Sequence, residues 1–113
     1  MALLVDESDE LNLKSFATVT DAGVEKVLAM SNCWTRISLE GLGFVTDTTV
    51  RKIADLAEIA AGLDELNLNE CGRVTASALR YLLERTPKLR SLGIARIPEL
   101  DNSFFESVRT GYF

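Results

Sequence analysis

Few side chains in this sequence could do chemistry, because its 113 residues include no histidine and two cysteines. Serine or cysteine nucleophiles activated by imidazole are excluded, and so are mixed cysteine–histidine zinc sites. Cys33 and Cys71 are too few for a disulfide framework or an all-thiolate metal site. There is neither a Cys-x-x-Cys pair nor a glycine-rich phosphate loop. What remains is the pairs Thr20–Asp21 and Thr46–Asp47, which could hold a cation, and arginines such as Arg36, Arg73 and Arg96, which could stabilise developing charge. The Thr–Asp pairs lie 26 residues apart in equivalent contexts. That recurrence argues for structure rather than catalysis, and the chain is expected to be no enzyme, with no catalytic residue, cofactor or metal.

The elements that must position these residues are repeats. In "LDELNLNECGRVTASALRYLL" (63–83), Leu66 and Leu68 alternate with Asn67 as in a half-buried strand, whereas Leu79, Leu82 and Leu83 follow helical spacing. One strand and one helix cannot bury both apolar faces alone, so further copies are required. With Leu11, Ile37, Leu66 and Leu92 as position 0, apolar residues return at positions 2, 5, 8, 13 and 16. Position 2 holds Leu13, Leu39, Leu68 and Ile94, and position 5 holds Phe16, Leu42, Cys71 and Ile97. The phases are 26, 29 and 26 residues. Position 9 is Thr20, Thr46, Thr75 and Asp101, expected as helix N-caps, with Asp21 and Asp47 as first-turn acids favoured by the helix dipole. The three residues added to the second copy fall in "IADLAEIAAGL" and predict a longer helix closed by Gly62, with the extra turn a possible contact point. An acidic lead-in, 1–10, is thus followed by one repeat domain, 11–113, divided as 11–36, 37–65, 66–91 and 92–113.

Positions −1, 1 and 3 alternate with the strand leucines and must share the opposite sheet face. They supply the candidate partner-binding residues Asn12, Lys14, Arg36, Ser38, Glu40, Glu65, Asn67 and Asn69, to which Arg96 at position 4 is added. This ladder is polar and of mixed sign, suited to hydrogen-bonding a protein loop or helix. A small-molecule substrate is not expected. The net charge of −5 hides an asymmetry, since residues 1–70 hold 13 acidic and 5 basic side chains while 71–113 hold 4 and 7. No aromatic stacking row accompanies the basic excess, which argues against nucleic acid. No apolar run reaches the roughly 18 residues of a membrane span, and "MALLV" is too short for a signal peptide. A reducing compartment, cytoplasmic or nuclear, is expected.

"LNLNECGRVTASALRYLLERTPKL" (66–89) and "LNLKSFATVTDAGVEKVL" (11–28) resemble the cysteine-containing subfamily of leucine-rich repeats, as in F-box/leucine-rich-repeat proteins. That family runs L-x-L-x-x-C-x-x-[IV]-T-D-x-G-L-x-x-L followed by C-P-x-L. The resemblance spans 11–108, with Val19, Thr20, Asp21, Gly23 and Val24 matching intact. Cys71 alone occupies the strand-end cysteine position, and Pro87 alone matches the C-P pair. The resemblance implies an α/β leucine-rich-repeat solenoid of about four repeats, with short parallel strands on the concave side and helices on the convex side. It also implies a non-enzymatic scaffold that contacts proteins, as in the substrate-recognition part of F-box ubiquitin-ligase subunits. The alternative role is a subunit or assembly factor of a larger complex, or a GTPase regulator, using the same surface. The ten residues before Leu11 hold no F-box, so the ligase role rests on resemblance alone. Two further readings concern the ends of the repeat domain. The first strand offers an open edge, and Phe104, Phe105, Tyr112 and Phe113 are expected to close the last copy.

Overall fold

The computed structural model describes residues 9–97 and Leu100. The expected closure by Phe104, Phe105, Tyr112 and Phe113, and the helix of the fourth copy, lie outside the described residues, as does most of the lead-in. The elements run β1 (Glu10–Asn12), α1 (Asp21–Leu28), β2 (Arg36–Ser38), α2 (Asp47–Asp55), α3 (Ala57–Gly62), β3 (Glu65–Asn67), α4 (Ala76–Leu83) and β4 (Ser91–Gly93). Among the described residues this is an α/β architecture: one four-stranded, wholly parallel sheet in the order β1-β2-β3-β4, with four helices.

The register follows from the leucine rows. Leu11 pairs with Ile37, Ile37 with Leu66, and Leu66 with Leu92, so position 0 of every copy lies side by side. A slip of one residue would turn each apolar row to the other face, which burial of one side forbids. Leu11, Ile37 and Leu66, together with Leu13, Leu39 and Leu68, are at most 2% exposed and belong to a single core cluster.

Leaving the sheet, the chain makes two successive three-residue steps. Phe16, Leu42 and Cys71 donate their amides to Leu13, Leu39 and Leu68, and Val19, Val45 and Val74 donate in turn to Phe16, Leu42 and Cys71. Three residues per step eclipses positions 2, 5 and 8, which explains why all three are apolar. Position 4 supplies the bend. Gly41, Glu70 and Arg96 have φ of 79°, 64° and 64°, a left-handed conformation in which only glycine is unstrained. The amides of Gly41 and Glu70 are thereby aimed at the carbonyls of Asn69 and Ala95 in the next copy.

Two expectations are corrected. The inserted residues do not lengthen one helix. α2 stops at Asp55, Leu56 adopts φ −82° and ψ 94°, and α3 begins at Ala57. Three residues fall short of a 3.6-residue turn, so a continuous helix would rotate its apolar stripe off the sheet. The break re-phases the chain and buries Ile59, Ala60 and Leu63. The second correction concerns capping. Thr20, Thr46 and Thr75 all stand at N-cap positions in extended backbone, but Thr46 alone accepts a side-chain cap bond, from the amide of Thr48.

Candidate partner-binding face

The threonines do other work, between copies. Thr46 donates its amide and hydroxyl to Asp21 at 2.9 and 2.6 Å, and the hydroxyl of Thr49 reaches the same carboxylate at 2.5 Å. Thr75 repeats this one copy later, giving its amide and hydroxyl to Asp47 at 2.8 and 2.6 Å. Each Thr–Asp pair therefore acts as a clasp that its neighbour completes, not as a cation site. Burial pushes the Asp21 carboxyl up, but the bonds from Thr46 and Thr49 outweigh it and hold the group below its ordinary value. The ladder stops where Ala76 replaces the aspartate in the third copy.

Cys71 plays a related part. Its thiol is fully buried and donates to the Leu39 carbonyl of the preceding copy at 3.0 Å. Burial pushes its pKa up to about 11, against smaller opposing contacts from the Leu42 and Gly41 amides. Cys33 is exposed, and both thiols are free. Trp34 closes the first copy, buried with its indole N–H on the Leu28 carbonyl at 3.2 Å, which satisfies a helix-end acceptor.

With the leucine rows buried on one side, the other side of the sheet is left to the alternate residues. Asn12, Lys14, Arg36, Ser38, Glu40, Glu65, Asn67 and Asn69 line one shallow hollow of about 420 Å³, together with Glu10, Ser91 and Gly93. Arg96 stands apart from it. Its left-handed backbone carries it past the strand end, where it lies 4.0 Å from Glu70. Lys14 reaches Glu40 at 3.8 Å and Arg36 reaches Glu10 at 4.0 Å. Such long, solvated pairs hold side chains in place weakly and remain open to exchange with a partner's charges.

The asparagines are less free than their polarity suggests. Asn67 donates to Glu40 at 3.0 Å and accepts from the Asn69 amide at 2.9 Å, while Asn69 accepts from the Ala95 amide at 2.8 Å. Both are half-buried. Asn12 makes the equivalent bond to the Lys14 amide at 2.9 Å. In β4 the corresponding residue is Gly93, where a Cβ would lie 2.8 Å from the Asn67 oxygen and 2.9 Å from that of Asn69. The β3–β4 half of the face is therefore low and carries Glu65 as its one charge in the hollow, whereas the β1–β2 half is raised and carries Glu10, Lys14, Arg36 and Glu40.

Three features escaped the sequence. Arg73 stacks over the ring of Phe44, 5.4 Å from its centroid, and Phe44 is 48% exposed. Both residues occupy position 7 of consecutive copies, so the spacing was there to be read. On the helix side, Tyr81 of α4 donates to Asp55 of α2, while Arg51 and Arg85, the latter just past the end of α4, lie 5.8 and 3.6 Å from its ring centroid. Finally, the break at Leu56 opens a second hollow of about 510 Å³, lined by Leu28, Ala29, Ser31, Asn32, Leu56, Ala57, Glu58 and Ile59.

The fold and the face define a class: an α/β protein whose parallel sheet buries one surface and offers the other, polar, to solvent. No family model matches this chain, and no curated protein matches it. Among the described residues no helix is long and apolar enough to cross a membrane, and no cluster of three or more ligating side chains could hold a metal ion.

Proposed function

We propose that this chain is a non-enzymatic protein–protein interaction module, a leucine-rich-repeat solenoid of the cysteine-containing type that engages its partner on the concave sheet face. The observation that carries this reading is the convergence of eight separated polar residues, spaced by the repeat, on one hollow of about 420 Å³. The Thr–Asp clasps and the Cys71 thiol support the subfamily reading, because both motif positions bind adjacent copies together. Within that class the role is recognition of a protein substrate, as in an F-box-type ubiquitin-ligase subunit, in the cytoplasm or nucleus. The second reading is a subunit or assembly factor of a larger complex, or a GTPase regulator, using the same face.

The test is quantitative capture from a cell extract, comparing the wild-type chain with a sheet-face variant and a helix-face variant. Asn67 and Asn69 are poor choices, since their bonds hold the strand ends. Arg36→Glu with Glu65→Arg inverts charge on the face and leaves the core untouched, whereas Lys52→Glu lies on the exposed side of α2. The partner should be lost with the first and kept with the second. Equal recovery by both would move the contact elsewhere.

A further inference from the structure

β1 is an edge strand of the sheet, and its outer side is unpaired among the described residues. Asp9 accepts from Thr35 at 2.9 Å and Leu13 donates to Ser38 at 3.0 Å, so the odd-numbered backbone groups face β2. By alternation the N–H and C=O groups of Glu10 and Asn12 point away from the sheet, and among the described residues no strand pairs with them. Behind this edge the apolar row is also incomplete. Leu42, Val45 and Ile53 in the second copy and Cys71, Val74 and Leu82 in the third are 0% exposed. Their equivalents Phe16, Val19 and Val27 in the first copy are only partly buried.

The strand and the two residues that follow it read Glu10-Leu11-Asn12-Leu13-Lys14, with the Lys14 amide held on the Asn12 side chain, and the charges are complementary to themselves in reverse. An antiparallel pair of such strands centred on Asn12 sets Asn12 against Asn12 as a pair exchanging both backbone hydrogen bonds. It also sets Glu10 against Lys14 twice, on the sheet face, where opposite charges across strands are favourable. The alternation allows four other registers on this stretch. Centring on Leu11 sets Glu10 against Asn12 and centring on Leu13 sets Lys14 against Asn12, while centring on Glu10 or Lys14 brings like charges together.

We propose that β1 is a homodimer interface: two copies join edge to edge, antiparallel, about a two-fold axis at Asn12, forming one continuous eight-stranded sheet. The two-fold uses up both β1 edges, so that side of the sheet cannot add a third copy. It also brings the half-buried Phe16, Val19 and Val27 rows of the two copies toward each other. The contact is separate from the proposed partner site except at Glu10, Asn12 and Lys14, which line both.

Sedimentation equilibrium of the full chain, from micromolar to millimolar concentration, is the test. Wild type should populate a dimer and nothing larger. Lys14→Glu, which sets two pairs of acids face to face, should weaken it about tenfold or more, and Glu10→Lys should do the same. Mixing these two variants should restore association as a heterodimer, because each strand then meets its opposite, and the doubly swapped chain Glu10→Lys/Lys14→Glu should dimerise by itself. A monomeric wild type at every concentration, or a mixture no more associated than its components, would overturn the proposal. Partner capture by a monomeric wild type would leave the functional reading standing while this one fell.

Discussion

Replacing Asp21 with alanine removes one carboxylate and strands three donors at once. The hydroxyl of Thr49 is the most exposed to consequence, because Thr49 is 0% accessible and its only acceptor is 2.5 Å away on Asp21. Leaving such a group unsatisfied costs about 1–3 kcal/mol. The amide and hydroxyl of Thr46 are half-buried, so water recovers part of their loss, and about 1 kcal/mol more is a fair sum for both. Together these give about 2–4 kcal/mol, or roughly 8–16 °C in Tm at about 4 °C per kcal/mol for a chain of this size. Urea denaturation followed by circular dichroism measures it. Asp47→Ala should cost less, since Asp47 serves the two donors of Thr75 and no third. Adding Thr49→Val to Asp21→Ala should return about 1 kcal/mol by deleting the orphaned hydroxyl. The sign with pH is fixed by the lowered folded value of Asp21. Its stabilisation is complete above the unfolded carboxyl pKa of about 4 and is lost as pH falls through the lower folded value. The gap between wild type and variant should therefore hold steady from neutral pH down to mild acid and close below it. An Asp21→Ala protein within about 0.5 kcal/mol of wild type would show that the clasps do not hold the copies together.

Other outcomes follow from single residues. Iodoacetamide should label Cys33 and spare Cys71 in the native protein, since the second thiol is buried and held near pKa 11, with both labelled in denaturant; native double labelling would refute the buried placement. Glu70→Gly should stabilise by about 0.5–1 kcal/mol, because it relieves a left-handed φ of 64° at the loss of one long, exposed ion pair to Arg96; a lower melting temperature would argue that the backbone there is unstrained. Leu68→Asp places a charge in a fully buried row and should abolish cooperative unfolding, and a parent-like melt would mean the strand faces are assigned backwards.

Much of this architecture was legible because the leucine rows obey two incompatible periods in a fixed order. Leu66 and Leu68 could be one face of a strand, and Leu79, Leu82 and Leu83 one face of a helix, under no other arrangement. The polar face followed by alternation from the same rows, which is why eight of the nine named residues share one hollow. What was not legible depended on partners about 26 residues away. A threonine before a helix satisfies a capping rule whether its oxygen accepts from its own helix, as in Thr46, or its hydroxyl donates to another copy, as in Thr75. Local spacing cannot separate the two. The break at Leu56 was hidden for a similar reason, as each residue of "IADLAEIAAGL" suits a helix and the conflict lies in the phase of its far end against the sheet. Arg96 lies outside the hollow because position 4 was added as a strand end, and the chain there bends through a left-handed conformation.

The account rests on four copies lying in register, and cross-strand nuclear Overhauser contacts test it most directly. Contacts linking Leu11 to Ile37, Ile37 to Leu66 and Leu66 to Leu92 in the parallel pattern are predicted. An antiparallel pattern, or a shift that sets Leu11 beside Arg36 or Ser38, would contradict it.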